Sequence, residues 1–171
     1  GFVKGTYSEK QMPAFNLNMI VKDAMFKYPE LPTAINNINL DLLVDNKDGI
    51  IDHTIIDLKK LHLDFGANPV DARARITALY PTNLDAEISA ALNLAEVDKM
   101  FPLEGLDMKG KYALNLKANG VYDSIKGSIP AINAAMSLAD GYVKSSEFPV
   151  PIEDIHFSST IKNTSGKIAE T

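Results

Sequence analysis

The chain of 171 residues contains no cysteine and no tryptophan. Without thiols there is no disulfide, no thiolate nucleophile and no cysteine-based zinc centre, and the redox compartment stays open. Positive charge is not in excess either: the formal net charge is -5 and the pI about 5.1. The basic footprint that neutralises phosphates is missing, which argues against nucleic acid as a partner. No apolar run approaches the ~20 residues a helix needs to cross a bilayer, and the opening Gly1-Phe2-Val3-Lys4-Gly5 is not a signal peptide. Any membrane anchor or export signal is therefore expected outside these residues.

The residues that are present are ordinary in amount and unusual in arrangement. Apolar residues make up 46% and charged residues 23%, values that support a folded body rather than a disordered chain. A pattern then repeats at an offset of 117 positions, residues 12–54 against 129–171. Pro13, Ala14, Asn16, Met19, Asp23 and Lys27 meet Pro130, Ala131, Asn133, Met136, Asp140 and Lys144. Further on, Ile35, Ile38, Asn46 and Gly49 meet Ile152, Ile155, Asn163 and Gly166. The second copy stops opposite Thr54, while sheet-like sequence continues beyond the first. The expectation is one β-rich body over 1–171, an excerpt of a longer array.

Period-two alternation dominates the chain, as in antiparallel strands with one wet face. Phe15, Leu17, Met19 and Val21 alternate until Lys22-Asp23 interrupts them, and Pro29 and Pro32 punctuate the next stretch. Ile38, Leu40, Leu42 and Val44 form the clearest strand, and Asp45-Asn46-Lys47-Asp48-Gly49 reads as a hairpin loop. The return strand carries Ile50, Thr54, Ile56 and Leu58 in one phase and Leu61, Leu63 and Phe65 in the other. The change at Lys59-Lys60 predicts a β-bulge.

After a turn at Gly66-Ala67-Asn68-Pro69, the phase of Val70, Ala72, Ala74, Ile76 and Ala78 opposes Asp71, Arg73 and Arg75. Pro81-Thr82-Asn83 turns the chain into Leu84, Ala86, Ile88 and Ala90, placing Arg73 or Arg75 near Asp85 or Glu87. A short helix is predicted over 95–101, with Glu96 early, Lys99 late and Pro102 as the stop. Alternation resumes through Tyr112, Leu114 and Leu116, a turn is expected at Asn119-Gly120 and a second short helix over 121–127. The fold class is thus all-β, a mostly antiparallel, extended and curled sheet with one or two short helices.

Candidate chemical sites are weak against this background. Gly49 at the sixth position of a calcium loop would put Val44 first and Ile55 twelfth, where oxygen ligands are required, so a plain hairpin is the stronger reading. His53, His62 and His156 show no metal-ligand spacing. The serines lie in no nucleophile elbow. No metal, no cofactor and no catalytic constellation are expected, and the chain reads as a non-enzyme.

The runs Leu31-Pro-Thr-Ala-Ile-Asn-Asn-Ile-Asn-Leu40 and Phe148-Pro-Val-Pro-Ile-Glu-Asp-Ile-His-Phe157 carry a family resemblance. So do Leu92-Asn-Leu-Ala-Glu-Val-Asp-Lys-Met-Phe-Pro-Leu103 and Gly110-Lys-Tyr-Ala-Leu-Asn-Leu-Lys-Ala-Asn-Gly120. Together they resemble the C-terminal part of AsmA-like proteins, with the flavour of Bacteroidetes members. The resemblance spans nearly the whole chain through soft patterns without catalytic signatures. It implies a periplasmic segment of a Gram-negative envelope protein, anchored in the inner membrane when full-length. The implied function is outer-membrane assembly, similar to that of repeating-β-groove lipid-transfer proteins, whose curled sheets shelter acyl chains.

On that reading the partners are lipid acyl chains, and envelope proteins or further copies meeting at strand edges. The candidate lining is Phe15, Leu17 and Met19; Ile38, Leu40, Leu42 and Val44; Leu61, Leu63 and Phe65; Ile76; Leu84 and Ile88; and Leu114 and Leu116. The same residues are those a closed core would use. A structural or protein-interaction module without lipid is the alternative function.

Overall fold

The alternation becomes a ladder in which every strand pairs with its neighbours in sequence. The computed structural model describes residues 1–5, 12–27, 34–164 and 166. Nine antiparallel strands run in chain order: β1 (Phe2–Lys4), β2 (Ala14–Phe26), β3 (Ile35–Asn46), β4 (Ile55–Phe65), β5 (Asn68–Leu79), β6 (Thr82–Asn93), β7 (Leu106–Tyr122), β8 (Ala131–Ser145) and β9 (Ile152–Asn163). Their spatial order is β1 to β9 without a crossover, in one sheet that does not close on itself. At ~4.8 Å between strands the sheet is about 40 Å wide. Pro29 and Pro32 lie outside the described residues.

Register assigns the faces, because residues directly opposite on antiparallel strands point to the same side. Leu17 faces Val44 and Met19 faces Leu42; Leu40 faces Leu61; Leu63 faces Val70; Ile76 faces Leu84; Ile88 faces Leu116; Leu114 faces Met136; Leu138 faces Phe157. One side is therefore apolar across the sheet. The opposite side carries pairs such as Asp57 with Arg75 and Glu87 with Lys117.

The phase change at Lys59-Lys60 is a register shift between Leu58 and Leu61. The extra residue there returns both apolar sets to one face, so Leu58 and Ile56 join Leu61 and Leu63. Four non-glycine residues take left-handed backbone at other irregularities: Asp23 (φ 48°), Asn37 (51°), Asp140 (53°) and Asp154 (53°). Asp and Asn tolerate this region better than other side chains. These four are two pairs separated by 117 residues, so the sequence offset holds in the backbone. The loops match as well: Gly49 N–H donates to Asn46 Oδ1 at 2.7 Å, and Gly166 N–H donates to Asn163 Oδ1 at 3.1 Å. Met12 N–H reaches Gly49 O at 3.1 Å, and Ile129 N–H reaches Gly166 O at 3.0 Å.

The predicted helix forms as α1 (Leu94–Met100), capped by Asn93, whose side chain accepts from Ala95 N–H. It sits across one end of the sheet. There Met100 is buried, and the Phe101 ring meets Phe65 edge-on at 5.7 Å between centroids. Two expectations are corrected. Asn119-Gly120 is no turn, because β7 continues through it, paired on both sides to Asp85 and Ala131. The second helix over 121–127 is instead the tail of β7 and a tight turn. Asp123 Oδ1 accepts from both Ile125 N–H and Lys126 N–H at 3.0 Å, imitating the first turn of a helix, and the chain closes on Ser128.

Candidate functional site

All fifteen candidate lining residues lie on the apolar face, and none of them is buried. Leu17 is 44%, Met19 39% and Ile88 39% exposed, while the other twelve are half-buried by their neighbours within the sheet. Among the described residues only Met100 and Ala134 are buried hydrophobic side chains. Among the described residues the helical segments that contact the strands are α1 at one end and a short 3-10 helix, Ile51–His53, beside β5. A single sheet with one side apolar normally buries that side against another element. The closed core that the same residues would also suit is absent from the described part of the chain.

The face has relief. Its middle strands present Ala72, Ala74, Ala86 and Ala90, which pair directly or with Ile88 and Val70. Taller rows of Leu40, Leu42, Leu61 and Leu63 stand to one side, and Leu114, Leu116, Met136 and Leu138 to the other. The same two strands also carry Val70, Ile76, Leu84 and Ile88 on this face, so small and large side chains alternate across its middle. Several residues of this face were missed in the sequence. Ile56 and Leu58 fell on the far side of the phase change, and Tyr112 and Leu138, although in the alternating phase of Leu114 and Met136, were not among the candidate lining.

The polar face is a lattice of cross-strand ion pairs. Arg73 Nη1 lies 3.0 Å from Asp85 and Nη2 2.9 Å from Glu87; Lys117 Nζ approaches Glu87 at 3.1 Å; and Arg75 reaches across to Asp57 at 2.6 Å. The hydrogen bond from Arg73, then that from Lys117, holds the Glu87 carboxyl down at about 2. The Arg73 guanidinium is raised in turn, chiefly by Glu87. An open depression of about 390 Å³ lies beside these groups, between Lys60, Asp71, Ser89 and Asn115. Of its charged groups Arg73, Glu87 and Lys117 pair with each other, while Lys59 lies 3.8 Å from Asp41 and Asp71 2.8 Å from His62.

The hairpin after β3 is tied together by its own polar side chains. Asn46 Nδ2 donates to Ile50 O at 2.7 Å and to Thr54 Oγ1 at 2.9 Å, and Asp48 binds His53 Nδ1 at 2.6 Å, which lowers the Asp48 carboxyl. His62 lies 2.8 Å from Asp71, away from His53. No cluster of three potential metal ligands occurs among the described residues.

At the helix end, Asn68 bonds Phe65 O at 2.6 Å and Glu96 Oε2 at 2.7 Å, and accepts from Asn93 N–H. These contacts tie α1 to the β4–β5 turn. Comparison of the chain with family models, with curated proteins and with solved structures finds no match.

Proposed function

We propose that this chain is a non-enzymatic, periplasmic segment of a cell-envelope protein, anchored in the inner membrane by sequence outside these residues. In this reading it serves outer-membrane assembly by shielding or conducting lipid along its apolar face. One observation carries the reading: an apolar surface about 40 Å wide runs across the strands without a covering layer among the described residues. Burying apolar surface is worth roughly 0.8 kcal/mol per methylene, so a chain of ~16 carbons with half its surface covered gains roughly 6 kcal/mol. Continuous apolar contact is enough for that gain; no hydrogen-bonded recognition is needed.

The test is to purify the chain from a membrane-containing host and extract it for mass spectrometry. Co-purifying phospholipid is expected, and Leu40→Glu or Leu63→Glu should reduce it at least fivefold while the far-ultraviolet circular dichroism remains that of a sheet. Lipid-free wild-type protein, or variants that keep their lipid, would overturn the proposal. A second reading, a structural or protein-interaction module without lipid, is favoured by the outer edge of β9, which no described strand pairs. Capture of a specific envelope protein by lipid-free chain would select it.

A further inference from the structure

The depression on the polar face is a slot between two rows of side chains that cross β4 to β7. In one row Arg73 stands opposite Glu87 and Glu87 opposite Lys117; in the other Asp71 stands opposite Ser89 and Ser89 opposite Asn115. The floor is the sheet itself at Ala72, Ile88 and Leu116, whose side chains point to the apolar face. At the β4 end the bulge sets Lys59 and Lys60 against Arg73, two residues where an even ladder would have one. The first row thereby gains a cation. Lys59 lies 3.8 Å from Asp41, whereas Lys60 has no ion pair or hydrogen bond among the described residues, and the same holds for Ser89 and Asn115.

We propose that this slot binds a phosphorylated sugar, with the phosphoryl group held at Lys60 and Arg73 and the ring hydroxyls at Ser89 and Asn115. Charge points to an anion: the lining carries four cations, Lys59, Lys60, Arg73 and Lys117, against the two carboxylates of Asp71 and Glu87, in a chain of formal charge -5. Both carboxylates are already engaged, Glu87 by Arg73 and Lys117, and Asp71 by His62. Donors are in surplus, because a guanidinium carries more N–H groups than the two that Arg73 places on Asp85 and Glu87. A phosphoryl group accepts several such bonds at once. Dimensions point to more than a bare phosphate: two residues of strand separate the rows by about 7 Å, and three strand spacings make the slot about 14 Å long. Its volume of about 390 Å³ is that of a small-molecule site. The apolar side chains of these strands lie on the opposite face, so the occupant is a soluble ester rather than a lipid. The site stands whether or not the apolar face carries acyl chains.

Titration of the isotope-labelled chain at fixed ionic strength, followed by nuclear magnetic resonance, tests this. Glucose 6-phosphate should move the backbone amides of Lys60, Arg73, Ser89 and Asn115 saturably. Glucose or inorganic phosphate alone should bind about tenfold more weakly. Lys60→Gln should weaken binding of the ester about tenfold, and Asn115→Ala, which changes no charge, about threefold. Lys47→Gln removes the same charge from the β3–β4 hairpin and should leave the affinity unchanged, with circular dichroism confirming the sheet in each variant. Shifts that do not saturate, inorganic phosphate binding as tightly as the ester, or equal losses in Lys47→Gln and Lys60→Gln would overturn the proposal.

Discussion

Glu87 occupies a junction of three strands, taking Arg73 from β5 and Lys117 from β7. Its carboxyl is held at about 2 against an ordinary value of 4.5. A carboxyl depressed in the folded state contributes stability above its unfolded value and loses it as pH falls toward the folded one. The wild-type urea midpoint should therefore fall more steeply between pH 4.5 and 2 than that of Glu87→Gln, and the two should converge at the acid end. Parallel curves would show that the ion pairs do not persist in solution. Asp48 is shifted in the same direction by His53, so the variant keeps part of the slope. The sequence placed Arg73 and Arg75 near Asp85 and Glu87, but it did not separate the two arginines. Arg75 turns to Asp57 on the preceding strand, a choice that only the register of β4 against β5 makes visible.

Strands are bent by their bulges, and each bulge resets which side the next residue occupies. Asp140 holds left-handed backbone between Ala139, which pairs with Lys111, and Tyr142, which pairs with Lys109. Its N–H meets His156 Nδ1 at 3.4 Å, as Asp23 N–H meets Asn39 Oδ1 at 3.3 Å in the other copy. A β-branched side chain is strained in this conformation, whereas glycine is free of that strain. Asp140→Val should lose ~1–3 kcal/mol in urea denaturation, and Asp140→Gly much less. Equal losses would mean that the bulge relaxes.

The bulge at Lys59-Lys60 was legible because the apolar phase visibly slips there. Asn119-Gly120 misled because a turn-forming dipeptide was outweighed by strand partners on both sides. The Asp123 turn misled because its first hydrogen bonds are those of a helix start.

At the scale of the molecule, all-β class, antiparallel order and one short helix were readable from period-two alternation and one break in it. Whether the apolar phase meets a core was not readable, since Leu40 alternates identically whether water, lipid or protein lies above it. The structure adds that each strand pairs only with its sequence neighbours. Stability in such a sheet is close to a sum of neighbouring pairs, as in repeat proteins. Amide hydrogen exchange should show protection greatest in β5 to β7 and declining toward β1 and β9. Uniform protection of all nine strands would mean that the sheet opens as a single unit.

The meander order makes width an adjustable dimension. A chain that gains or loses one hairpin changes the span of its apolar side by about 10 Å and disturbs no pairing elsewhere. A sheet connected by crossovers would have to be rethreaded. Here, hairpin number acts as a ruler, and the repeat at 117 residues marks one of its divisions.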